Sequence, residues 1–157
     1  MDDVILARAL HVLAVVIWIG GLSMATTVFL PGVRRGDFGP DRIASFHALE
    51  HRFIRQVRVA HIVVGLSGAY MVWKLGVWDR FFSLETWWMG AMLGLWLVFA
   101  LLAFVIEPFV LHRHFPRLAA ERPDAAFAMM IRGHRVLLAL AVITVLGAVA
   151  GSHGWMP

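Results

Sequence analysis

Eight histidines and no cysteine in 157 residues mark where chemistry is to be sought. Imidazole binds metals and carries protons near neutral pH, whereas the lack of cysteine excludes disulfides, thiolate zinc, iron–sulfur clusters and covalently attached haem. Four histidines, His11, His61, His134 and His153, lie inside or at the ends of strongly apolar runs. Ionisable groups within a bilayer are costly and tend to mark a pathway or a ligand. Imidazoles on facing helices can hold haem b by axial ligation, or copper together with thioether sulfur. His11 makes the best case. Trp18, seven residues on, shares its helical face and can wall a planar ring, and Arg8, one turn outward, is placed to meet a haem propionate. His153 matches the depth of His11, while His61 and His134 form an inner pair that would imply a separate haem. The competing reading of His11 and His61 is an interfacial histidine bonded to a nearby carbonyl; His134, between Gly133 and Arg135, would instead belong to the solvated interface, and His153 to a terminal segment sitting in water.

Glu107 differs in kind, because a carboxylate in the last turns of an apolar run needs a basic partner or a proton. Pro108 beside it removes an N–H from the helix, and His114 shares its stripe seven residues on. A proton relay through Glu107 and His114 stands against a structural pair with an inner-face arginine. Met24, Met89 and Met92 supply thioethers suited to Cu(I), but methionine also fills gaps in apolar cores, and no methionine cluster accompanies a histidine.

The elements that position these residues follow from composition. Hydrophobic residues make up 61% and charged ones 15% of the chain, which excludes a water-soluble globule. Four runs, 9–30, 60–78, 87–111 and 136–155, meet the length of a membrane helix. The expectation is an all-α integral membrane protein, one domain built as a four-helix bundle. Asp2, Asp3 and the length of the first run speak against a cleavable signal peptide. Arg34, Arg35, Arg42, Arg52, Arg55 and Arg58 fall between the first two runs, and Arg113, Arg117, Arg122, Arg132 and Arg135 between the last two. The positive-inside rule then puts both connections in the cytoplasm and both termini outside. This topology accounts for the basic charge without nucleic acid.

Pro40 and Asp41 offer a helix start, and Ile43, Phe46, Leu49, Phe53 and Val57 recur at helical spacing, which predicts an amphipathic helix running into the second span. It would either lie on the inner leaflet, its arginines among anionic headgroups, or form a cap over a site at the inner end of the bundle. Gly90 with Gly94, Gly147 with Gly151, and more weakly Gly21 with Ala25 and Gly65 with Ala69, predict faces where helix backbones approach.

The stretch from Arg8 to Leu22, with Leu10-His11 followed by Trp18-Ile19-Gly20-Gly21-Leu22, resembles the opening helix of the copper-resistance D (CopD) family. It is also similar to the HemJ-type membrane protoporphyrinogen oxidases, four-helix haem b proteins, and that likeness extends to Leu49-Glu50-His51-Arg52-Phe53-Ile54-Arg55. HemJ-type proteins carry a lysine early in the third span and Asn-Glu-x-Pro near the fourth, where this chain has 87–91 (Trp-Trp-Met-Gly-Ala) and 132–135 (Arg-Gly-His-Arg). The resemblance implies a bacterial inner-membrane bundle with a His11-centred haem b function in electron transfer or oxidoreduction, enzymatic or not. Copper transport or binding is the alternative. Lipids, a redox partner and further copies of the chain are the partners such a protein would meet.

Overall fold

The computed structural model describes residues 2–155, and these form an all-α structure of four long helices. We label them α1 (Asp2–Arg35), α2 (Arg42–Leu75), α3 (residues 87–121) and α4 (Pro123–Ser152). Three stretches are long and apolar enough to cross a membrane, namely Asp2–Arg35, Leu84–Phe109 and Pro123–Ser152. The expected second span, 60–78, coincides with the last half of α2, whose apolar character is diluted by His61, Ser67, Tyr70 and Lys74. Trp78 lies beyond it, in a short 3-10 turn, Trp78–Phe82.

The connections are shorter than the arginine-rich segments led us to expect. Only 36–41 separate α1 from α2, and only Arg122 separates α3 from α4. Gly36, at φ +84°, ends α1 in the left-handed conformation that glycine adopts freely. Asp41 then caps α2, its side chain accepting from the N–H groups of Ile43 and Ala44 at 3.1 and 3.0 Å. A helix of 34 residues spans about 50 Å against a hydrocarbon layer of about 30 Å. α2 is thus longer than such a layer is thick.

The end of the bundle where α2 begins has its own core. Leu30 and Val33 of α1, Phe46 of α2, Phe115 and Ala119 of α3, and Ala126, Phe127 and Ile131 of α4 are buried together. The amphipathic start of α2 closes this end of the bundle, the inner end in the expected topology, through Phe46, and Arg42 bonds both the Arg34 carbonyl and Asp124 there. A second core lies midway along the helices: Ala14, Trp18, Leu22, Val57, Ala60, Val64, Phe99 and Ala141. The glycine faces serve rings more than backbones. A Cβ on Gly147 or Gly151 would lie 2.5 Å from Trp87 or Trp88, on Gly65 2.6 Å from Trp96, and on Gly21 2.8 Å from Phe53. Gly94 meets nothing within 4 Å, so the 90–94 pair is not a helix contact as expected.

Candidate functional site

α1 and α2 run antiparallel and share the longest seam in the molecule. At one end Asp3 accepts from Tyr70 at 2.7 Å and pairs with Lys74 at 3.3 Å. Two turns on, His11 Nδ1 lies 3.1 Å from both the Val64 carbonyl and Ser67 Oγ. Ser67 uses its one O–H on the Val63 carbonyl at 2.5 Å, so Nδ1 of His11 must carry the proton and donate. Nε2 is left as the lone-pair nitrogen of a neutral imidazole. A Cβ on Gly68 would come 3.2 Å from the His11 ring, so the glycine lets this imidazole close onto α2.

Trp18, one heptad past His11, meets His61 edge to face, with ring centroids 4.8 Å apart. Trp96 of α3 stacks on the His61 ring at 5.0 Å and 2°, and its indole N–H donates to the His61 carbonyl at 3.0 Å. Phe104 closes the group at 6.1 Å. The His61 side chain is wholly enclosed, at 0% exposure, and neither ring nitrogen has a hydrogen-bond partner. Trp18 Nε1 is buried and unpartnered in the same way. Sequence reasoning placed Trp18 as a wall for His11. In the structure it packs against His61, one helix away.

His134 and His153 each hold Nδ1 on the carbonyl four residues earlier, Met130 at 3.0 Å and Val149 at 2.8 Å, again leaving Nε2. His134 sits two turns, about 10 Å, before Ala141 of the middle core, beside residues of the inner core. The structure therefore does not bring it to the level of His61. Thr26, Thr27 and Pro31 share a groove of about 540 Å³ with Leu138, Ala139 and Val142, and extending that antiparallel register along α1 and α4 puts His153 close to the level of His11. His153 and Arg8 are exposed.

Glu107 pairs with Arg58 at 2.5 Å, the arrangement of the structural alternative. The side chains of His112 and His114 lie outside the described residues. Sequence reasoning did not single out Arg58, although Pro108 carried the signal. Residues 102–111 are wound as a π-helix, in which the N–H of residue 108 would serve the carbonyl of residue 103. Proline has no N–H, and Arg58 supplies the missing donors, Nε and Nη2 reaching the Ala103 carbonyl at 3.0 and 2.9 Å. A second π turn, Ala25–Phe29, precedes Pro31 in α1, where Thr26 and Thr27 bond back to the Leu22 and Ser23 carbonyls.

Met24 is 65% exposed, away from any histidine cluster, and Met89 and Met92 lie at the start of α3. Among the described residues no three or more histidine or acidic side chains gather as a metal site. No family model, curated protein or solved structure matches the chain.

Proposed function

We propose that the chain is a four-span membrane protein that binds haem b through His11 and works in electron transfer or oxidoreduction. The observation that carries this reading is the bond from His11 Nδ1–H to the Val64 carbonyl of the neighbouring helix. Such a bond fixes the tautomer and ring plane and raises the basicity of Nε2, as is usual for a ligating histidine. The donor chemistry suits an axial ligand: a neutral imidazole set in apolar sequence, with an exposed guanidinium, Arg8, one turn outward for a propionate. His153, with Nδ1 likewise occupied and at a similar level, is the second ligand in this reading. Haem held there would supply a reversible one-electron centre near the outer surface.

The same reading places α2 across the bilayer beside α1. Their partnership extends from Asp3 and Tyr70 through His11 and Ser67 and Trp18 and His61 to Gly21 and Phe53, so an α1 that spans brings α2 with it. The arginine-bearing ends then face the cytoplasm and the termini the outside of a bacterial inner membrane. The resemblance to CopD and HemJ-type proteins in the Arg8 to Leu22 stretch supports the same architecture.

The deciding experiment is an absorbance spectrum of detergent-purified protein expressed with ample haem, before and after dithionite. A reduced Soret band that is lost in His11→Ala and altered in His153→Ala is expected. Purified protein without haem removes the proposal, and an unchanged spectrum in His11→Ala removes His11 as ligand. Reporter fusions test the topology: a periplasm-active reporter is expected to work after Pro157 and fail after Arg117.

A further inference from the structure

The groove of about 540 Å³ between α1 and α4 is apolar along its walls, with Pro31 on one side, Leu138, Val142 and Ile143 on the other, and Ala139 too short to close it. Its two hydroxyls are spent on their own helix, Thr26 on the Leu22 carbonyl at 2.6 Å and Thr27 on the Ser23 carbonyl at 2.8 Å. A hydroxyl has one proton to give, so neither is left as a donor inside the groove. From Arg135 to Ile143 the groove runs about 12 Å along α4. Arg135 stands at one end of it, directly before the apolar run of α4. One turn further toward that end come Arg34, three residues past Pro31, and Arg132, three before Arg135, a spacing that makes neighbours on a helix surface. All three arginines are exposed and pair with no acidic side chain among the described residues. Arg35, Arg42 and Arg58 each have one, in Asp37, Asp124 and Glu107.

We propose that this groove binds an anionic phospholipid, with the phosphate held by Arg135 together with Arg34 and Arg132 and one acyl chain lying between α1 and α4. Charge complementarity selects the headgroup. Guanidinium groups without carboxylates stand where the apolar run of α4 begins, which is the depth of headgroup phosphates, and guanidinium bonds phosphate oxygens in pairs. Basic pockets between membrane helices hold anionic headgroups in this way. The groove selects the chain. With apolar walls and no free hydroxyl donor it offers nothing to a sugar, a nucleotide or a peptide backbone. A hydrocarbon chain lying in it touches protein on more than one side and gains dispersion contacts that a flat helix face does not give. A zwitterionic lipid brings its own cation to the same arginines, so the site discriminates by net headgroup charge. The inference rests on α1 and α4 crossing a bilayer, and neither on haem nor on the side that the arginines face.

The test is native mass spectrometry of the full chain, purified in a neutral detergent and titrated with phosphatidylglycerol or phosphatidylcholine carrying the same acyl chains, so that bound lipid is counted. Half-saturation by phosphatidylglycerol is expected at about tenfold lower concentration than by phosphatidylcholine. Arg132→Gln combined with Arg135→Gln is expected to bring the two lipids level. Ala139→Trp, which fills the groove and leaves every arginine in place, is expected to abolish the bound phosphatidylglycerol. Glycerol phosphate in excess, a headgroup without chains, is expected not to displace it. Equal affinity for the two lipids in the wild type overturns the proposal. So does a preference that survives the double arginine variant, which would make the charge irrelevant, or lipid retained in Ala139→Trp, which would leave only a headgroup patch. Displacement by glycerol phosphate overturns it as well, because the site would then be one for free phosphate. Circular dichroism checks the fold of each variant; if one does not fold, Val142→Trp at the exposed rim of the groove, or Arg135→Gln alone, takes its place. Loss of lipid selectivity leaves the haem proposal untouched, and protein without haem leaves this inference standing.

Discussion

The two cores of this bundle are made by the same helices and differ in what they enclose. At the inner end Phe46, Phe115 and Phe127 meet at 5.2 to 6.0 Å among aliphatic neighbours, and among the described residues no buried polar side chain lies in 42–57, 109–121 or 123–131. In the middle Trp18 and Phe99 pack against each other, and His61 is set beside them with three polar atoms left unpartnered. Physical setting explains the division. Between helices in lipid there is little hydrophobic drive, because the tails are as apolar as the side chains they would replace. The inner-end core projects past the hydrocarbon in the proposed orientation, where water makes burial favourable. It can hold the helices together and leave the middle free to carry groups that lower stability.

Phe127→Ala tests this most severely. Removing a ring at 0% exposure is expected to cost about 3–5 kcal/mol. Thermal unfolding in detergent, followed by circular dichroism, would show it, and a loss under about 1 kcal/mol would break the assignment of stability to the inner end. Arg58→Met comes next, since it strips donors from the Ala103 carbonyl and leaves Glu107 without its cation. With both partners partly exposed, a loss of about 2 kcal/mol is expected. Adding Glu107→Gln to Arg58→Met is expected to recover part of it. Gly65→Ala, whose Cβ would stand 2.6 Å from Trp96, is expected to cost about 1–2 kcal/mol by displacing that ring from the His61 carbonyl. The smallest effect has the opposite sign: His61→Phe replaces unpartnered nitrogens by carbon and is expected to raise stability by about 1 kcal/mol. A clear loss of stability in that variant would mean that the imidazole is structural, and the contrast between the cores would disappear.

The parts of the candidate site legible in sequence were those fixed by local spacing. His11 and Trp18, a heptad apart, do share a face of α1, and both turn toward α2. Asp41 caps its helix, and Phe46 and Val57 are buried on the amphipathic stretch that follows. Glu107 stands out because a carboxylate in apolar sequence needs a partner. Which partner was not legible, since Arg58 is 49 residues away in the chain and one of 11 arginines in the two basic segments.

Sequence alone determined the all-α class, the apolar runs and the helical phase of each residue, because 3.6-residue periodicity and hydropathy are local properties. Register between helices is decided by contacts distant in the chain, and only the tertiary structure supplies it. His11 faces Ser67 rather than His61, His61 packs against two tryptophans, and Arg58 reaches the carbonyl that Pro108 leaves without a donor. A slide of one helix by a single turn, about 5.4 Å, would exchange every one of these partners without altering a residue.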